Sequence, residues 1–266
     1  MTALERAAEK ARAGAVDAAP EFPDEIATAA LVRYFDLPLG AGRFALVTLD
    51  NGHDHTRPNT FGPAGLTALN RALDGVAAAA ERGEIVGAGV TGKPFIFAVG
   101  ADLSGVPFVT SRDQALEIGR LGHAVFRRLA ELAVPTFAFV NGAAMGGGLE
   151  VALHCTYRTV STGVGHLALP ECFLGLVPGW GGTQLLPNLV GADKAVRIMI
   201  ENALNQNRMI DGAKAVEYGI GDALFEPADF LEQSLTWTAQ VIKGDVTVAR
   251  PEVDRGDAWE AALVRG

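Results

Sequence analysis

Cysteine is nearly absent from this chain. Cys155 and Cys172, in 266 residues, form neither a CxxC pair nor the evenly numbered set that a disulfide framework needs. A reducing compartment is therefore the default expectation. Lysine is scarce too: 5 lysines and 17 arginines lie scattered among 31 acidic residues, for a net charge of −9. Nucleic-acid and anionic-membrane surfaces need clustered cations, so both partner classes are excluded. Any anionic ligand must be held by local donors. No run reaches the roughly 18 apolar residues of a membrane span. The first 30 residues lack the apolar core of a signal peptide and carry Glu5, Glu9, Glu21, Asp24 and Glu25, unlike an acid-poor transit peptide. The expected location is cytoplasmic. None of the four serines sits in a GxSxG elbow, and HExxH is missing.

What is present is an ordinary globular composition, 49% hydrophobic and 20% charged, in a chain long enough to bury a large core. Residues 1–29 read as an Ala/Glu-rich extension, a short helix and then a loose connector outside the core. Strand-like stretches follow at Leu31–Leu37 and Arg43–Asp50, with a hairpin turn at Gly40–Gly42. Leu66, Leu69, Leu73 and Val76 line one face of a helix over 63–82. Ile118, Leu121, Val125, Leu129 and Leu132 do the same over 112–132. Buried strands are expected at 84–91, 95–99 and 136–140, with shorter ones at 157–161, 166–169 and 220–225. Helices are expected from the glycine cluster to about His154, and then at 180–190, 192–203, 211–218 and 227–243. Strands alternate with helices over 30–226, so the class is α/β. Residues 227–266 form a C-terminal helical segment.

Several motifs have bland readings that win. Gly87-Ala-Gly89-Val-Thr-Gly92 is a literal GxGxxG, and with Lys93 it is nearly a P-loop. A strand rather than a helix follows it, and Pro94 stands where a P-loop has Ser or Thr. Glycines that permit close packing are the better account. His53-Asp54-His55 lacks a third metal ligand, so a solvated loop is expected, with donors at the rim of an anionic ligand as the second reading. His154 lies on an apolar helix and reads as a satisfied core histidine.

Three pieces carry chemistry. The first is a strand ending in Val99-Gly100-Ala101-Asp102, a tight turn with Ala101 as the natural outward N–H donor. The second is Asn141-Gly-Ala-Ala-Met-Gly146-Gly147-Gly148-Leu149-Glu150, a glycine-rich helix start that favours an anion and projects Glu150 one turn on. The third is Leu169-Pro170-Glu171, followed by Gly175 and then Pro178-Gly179-Trp180-Gly181-Gly182, which adds a second carboxylate beside a Pro/Gly-shaped loop. Two fixed amides suit a carbonyl oxygen that gains charge. Two carboxylates in one cleft suit an acid/base pair.

In this order the three pieces resemble the enoyl-CoA hydratase/isomerase (crotonase) superfamily, over about residues 30–226. The wording is most similar to the hydratase domain of multifunctional fatty-acid oxidation proteins. The resemblance implies a spiral of ββα units with C-terminal helices, an acyl-CoA substrate, and oxyanion-hole amides at Ala101 and Gly147. It also implies acid/base glutamates at Glu150 and Glu171, and a water-positioning amide at Gly175. No metal or cofactor is implied beyond the coenzyme A of the substrate. The resemblance further implies a homo-oligomer, trimer or hexamer, or a part of a larger fatty-acid oxidation protein in which a 3-hydroxyacyl-CoA dehydrogenase follows. Nothing in 227–266 encodes that second part. Ser104 stands where the family often has Lys, and the loop Asp50–Asn59 departs from the usual pattern. His53, His55 and Arg57 are the candidate rim for the CoA phosphates. Three readings stay open: a 2-enoyl-CoA hydratase in fatty-acid β-oxidation, an enoyl-CoA double-bond isomerase, and a non-catalytic acyl-CoA-binding or assembly subunit.

Overall fold

The computed structural model describes residues 22–266. Strands β1 (Ala29–Asp36) and β2 (Arg43–Asp50) form an antiparallel hairpin, closed where Leu37 N–H donates to the Gly42 carbonyl at 2.9 Å. Helix α1 (Pro63–Glu81) follows, burying Leu66, Leu69, Leu73 and Val76 as their spacing requires. The chain then repeats one pattern. Strands β3 (Gly87–Gly92) and β4 (Phe95–Val99) precede helix α2 (Arg112–Ala130). Strands β5 (Thr136–Val140) and β6 (Gly142–Met145) precede helix α3 (Gly147–Leu153). Strands β7 (Tyr157–Ser161) and β8 (Leu167–Ala168) precede helix α4 (Gly182–Val190).

The two strands of each pair enter different sheets. The larger sheet has the order β1-β2-β3-β5-β7-β9, where β9 is Ala223–Phe225, and it is parallel from β2 onward. The smaller sheet is β4-β6-β8, all parallel. This is a spiral of ββα units, with the main core between its sheets and helices. Strand β6 was not expected from sequence. Gly142-Ala-Ala-Met lacks the β-branched and aromatic residues that mark strands, and it is extended because β4 and β8 pair with it on both sides.

The glycines of β3 are packing devices. A Cβ on Gly89 would stand 2.7 Å from the Phe139 ring, and one on Gly92 would stand 2.0 Å from the Ile96 carbonyl. No helix follows them, so neither nucleotide-binding reading survives.

The expected 192–203 helix is α5 (Ala192–Val196) and α6 (Asn202–Leu204), joined by a π turn at Arg197–Glu201. Then come α7 (Gly212–Tyr218), α8 (Phe230–Lys243) and α9 (Asp257–Arg265). Helix α9 falls in the expected 227–266 helical segment, although only 227–243 was given helix bounds, and nine residues are marginal alone. It forms against the core, with Ala262 packed on Ala192 and Val196 and Arg265 bonded to Asp193 at 2.7 Å.

The start of the expected 1–29 extension, with its short helix, lies outside the described residues. The connector that follows it is not loose over 22–28. Glu25 accepts from the Ala64 and Gly65 amides at 3.0 and 2.8 Å, capping α1 from a distance. The Phe22 ring lies on Gly105, where a Cβ would overlap it.

Candidate active site

Parallel pairing of β4 with β6 builds the centre of the site. Val99 is in register with Met145, so the turns that leave the two strands exit side by side at one sheet end. Both turns need glycine: Gly100 has φ +77° and Gly146 has φ +51°. A Cβ on Gly100 would lie 3.8 Å from the Gly147 nitrogen, so the turn that carries Ala101 sits beside the Gly147 amide. Parallel strands lie about 4.8 Å apart, a spacing that lets two such amides share one oxygen. Neither amide is spent on a backbone carbonyl in the surrounding turns and caps. Phe61 fixes the first turn from the outside: its N–H donates to the Gly100 carbonyl at 2.9 Å, and its own carbonyl accepts from Asp102 N–H at 3.0 Å.

Asp102 points away from this chemistry. Its Oδ1 accepts from Ser104 N–H at 3.0 Å and caps the 3-10 turn Leu103–Phe108. Asn caps about as well as Asp. Asp102→Asn is therefore expected to keep most of the activity and to cost no more than a few tenths of a kcal/mol in a denaturant titration. A loss as large as that of a glutamate variant would assign Asp102 to the chemistry.

Glu150 is buried, 2% exposed, on the first turn of α3. Its Oε1 accepts from the Trp180 and Gly182 amides, both at 2.8 Å, where the 178–182 loop enters α4. Burial pushes its pKa up to about 6, and the two amide bonds pull against that rise. Glu171 opens the 3-10 turn Glu171–Leu174. A Cβ on Gly146 would lie 2.8 Å from Glu171 Oε1, so this carboxylate sits beside the residue that precedes the Gly147 amide. Its Oε2 is buried without a partner. Burial, and then the charge of Glu150, raise the Glu171 pKa to about 7. Two carboxylates of unequal environment thus lie close to the Gly146–Gly147 turn.

The other candidates fare differently. Gly175 N–H is already donated to the Cys172 carbonyl at 3.2 Å, in a left-handed cap with φ +72° that ends the 3-10 turn. Gly175, expected to position water, closes this turn. His53, His55 and Arg57 gather at the start of β4, with the His55 ring 5.8 Å from that of Phe95. The Phe95 end of β4 lies five strand residues, about 17 Å, from Ala101, while the chain after Arg57 runs back along the strand to pair with Ala101 at Phe61. Asp54 turns into its own loop, accepting from Thr56 N–H at 2.9 Å. No cluster of three metal-ligating side chains occurs among the described residues.

Sequence reasoning missed Lys93. It is 4% exposed, and its Nζ donates to the carbonyls of His53 and Arg57, the first at 2.8 Å, and to Asn51 Oδ1. This buried ammonium pins the whole 51–57 loop. It also missed the Trp180 and Gly182 amides that hold Glu150. The only signal available was the glycine-flanked tryptophan. His154 is buried as expected.

Known proteins resemble this chain in sequence and in fold. The alpha subunit of the fatty acid oxidation complex of Pseudomonas putida is 36% identical over 193 residues, covering 71% of this chain and 25% of that protein. The equivalent subunit of Shewanella loihica is 36% identical over 147 residues, 55% of this chain and 20% of that protein. The chain thus spans a quarter or less of the length of these curated relatives. Among solved structures, Pseudomonas aeruginosa DspI superposes with a TM-score of 0.67 at 29% identity, covering 82% of this chain and 76% of the other. An enoyl-CoA hydratase from Bacillus anthracis has the same fold, with a TM-score of 0.67 at 24% identity over 80% of this chain and 76% of the other. The Enoyl-CoA hydratase/isomerase family matches residues 43–251, and the chain belongs to that family.

Proposed function

We propose that this chain hydrates 2-enoyl-CoA thioesters to 3-hydroxyacyl-CoA in fatty-acid β-oxidation. The observation that supports this best is the pairing of two carboxylates, of pKa about 6 and about 7, with two uncommitted amides at neighbouring strand ends. The thioester oxygen accepts from Ala101 and Gly147 N–H, each worth about 3 kcal/mol as charge develops on that oxygen. Near neutral pH Glu150 is the more ionised of the pair and takes the proton of the attacking water. Glu171, the more protonated, delivers a proton to C2. The step is redox-neutral, and the protein's own groups supply both proton transfers. As proposed, it needs no cofactor beyond the coenzyme A of the substrate.

A double-bond isomerase needs one carboxylate to shuttle one proton, and a binding subunit needs neither. Two carboxylates with raised pKa values favour hydration. The test is the absorbance of the enoyl-thioester band with crotonyl-CoA and with a longer 2-enoyl-CoA. Loss of the band in step with 3-hydroxyacyl-CoA formation is expected, and no turnover of either substrate overturns the reading. The exposed 51–57 loop is proposed as the CoA rim. Arg57→Ala should then raise KM several-fold with kcat unchanged, the signature of uniform binding. An unchanged KM places the rim elsewhere. By analogy with the relatives, the chain is proposed to act as a homo-oligomer or within a larger fatty-acid oxidation protein.

A further inference from the structure

We propose that His154 is a positioning residue for Glu150, acting through the main chain of Trp180. The contact stands on the geometry alone; its effect on turnover rests on the hydratase reading above. Glu150, on the first turn of α3, and His154, its C-cap, lie four residues apart, so both side chains leave the same helix face. The Pro178–Gly182 segment crosses that face. Trp180 N–H donates to Glu150 Oε1 at 2.8 Å, and the Trp180 carbonyl lies 2.8 Å from His154 Nε2. One helix face therefore holds one loop residue by both its N–H and its carbonyl, and Gly182 N–H adds a second bond to Glu150 at 2.8 Å.

A carbonyl can only accept, so Nε2 must carry the proton in this contact. The ring is 5% exposed, and burial pushes its pKa down to about 4. Near neutral pH it is a neutral donor. The charged and titratable groups around it come from α2 and its C-cap: His123, whose ring is 5.9 Å away, Arg127, and the cap residue Glu131. Glu150 in turn faces Glu171. The loop lies directly on the imidazole. A Cβ on Gly181 would stand 2.6 Å from Nε2, and its φ of +125° suits glycine.

An apolar side chain could fill the same space, but it would leave the Trp180 carbonyl buried without a donor. The loop would then relax, and its amides would hold Glu150 less well. Fewer good bonds to the carboxylate raise its pKa.

The experiment compares wild type, His154→Leu and His154→Gln. The Gln side chain keeps an N–H donor at similar reach. The readouts are kcat and KM for crotonyl-CoA across about pH 5 to 9, thermal midpoint, and 13C NMR titration of the Glu150 carboxyl, identified by its loss in Glu150→Gln. His154→Leu should lower kcat about tenfold with KM nearly unchanged. It should also move the acid limb of the profile and the Glu150 titration to higher pH. His154→Gln should restore both. Equal thermal losses in the two variants with a wild-type profile and titration would make His154 mere packing and overturn the proposal. If the wild type hydrates nothing, the hydratase reading fails, and the Glu150 titration still decides the matter: an unmoved Glu150 in His154→Leu refutes positioning. Should the Leu variant not fold, His154→Met serves the same comparison.

Discussion

Glu150→Gln and Glu171→Gln should each lower kcat for crotonyl-CoA hydration by roughly 10²–10⁴-fold, the range of a lost general acid or base. Glutamine keeps the shape of either side chain and still accepts the Trp180 and Gly182 amides at position 150. Only proton exchange is removed, so KM should move little. The double variant should be far less than multiplicatively worse, because groups that act as a unit are not additive. Isomerase chemistry would leave one glutamate nearly silent. A binding subunit would show no turnover to lose.

The same variants carry a stability signature whose sign is set by linkage. Both carboxyls have folded pKa values, about 6 and about 7, above the ordinary 4.5. Such groups contribute stability that is complete below about pH 4.5 and is lost as pH rises through the folded values. Glu171, with an unpartnered buried oxygen, should feel this most. Glu171→Gln should therefore melt higher than wild type at pH 8, with the gap shrinking or reversing at pH 5. A gap independent of pH would show that Glu171 does not titrate in the site. The His154 imidazole works the other way. Its depressed pKa gives stability that is present above about 6.5 and lost as pH falls toward about 4.

The second large effect is structural. Gly148→Ala should destabilise the protein by about 3 kcal/mol or more, or prevent folding, and abolish activity with it. A Cβ there would stand 1.8 Å from the Ala98 carbonyl, backbone against backbone, where α3 crosses β4. Neither partner has a flexible end that can yield. The crossing carries Glu150 on one element and the Ala101 turn on the other, so any relief of the clash spreads the site. Gly119→Ala is the control. Its Cβ meets nothing within 4 Å on α2, and the exchange should stabilise the helix by up to about 1 kcal/mol. Denaturant midpoints for the two variants measure the contrast. A folded, active Gly148→Ala protein would show that the crossing tolerates a methyl group.

Much of this protein is local information and therefore legible along the chain. The stripes of α1 and α2, the hairpin around Gly40–Gly42 and the glycine turns at Gly100 and Gly146 follow from periodicity and from backbone conformations that side chains disfavour. The first turn points to Ala101, the family resemblance implies Gly147, and Glu150 follows Gly147 by one helical turn. What the sequence could not determine is pairwise. Gly142–Met145 is a strand only because β4 and β8 flank it. The Gly175 amide closes a turn onto the Cys172 carbonyl, a pairing that the chain order alone does not announce. Lys93 reads as part of a turn after a glycine strand, yet a loop forty residues earlier closes over it with three acceptors. His154 reads correctly as buried, but its partner lies 26 residues on. Burial of a polar group can be inferred from its neighbours in sequence. The acceptor that makes burial tolerable comes from whichever distant segment the sheets bring alongside, and only the tertiary structure decides that.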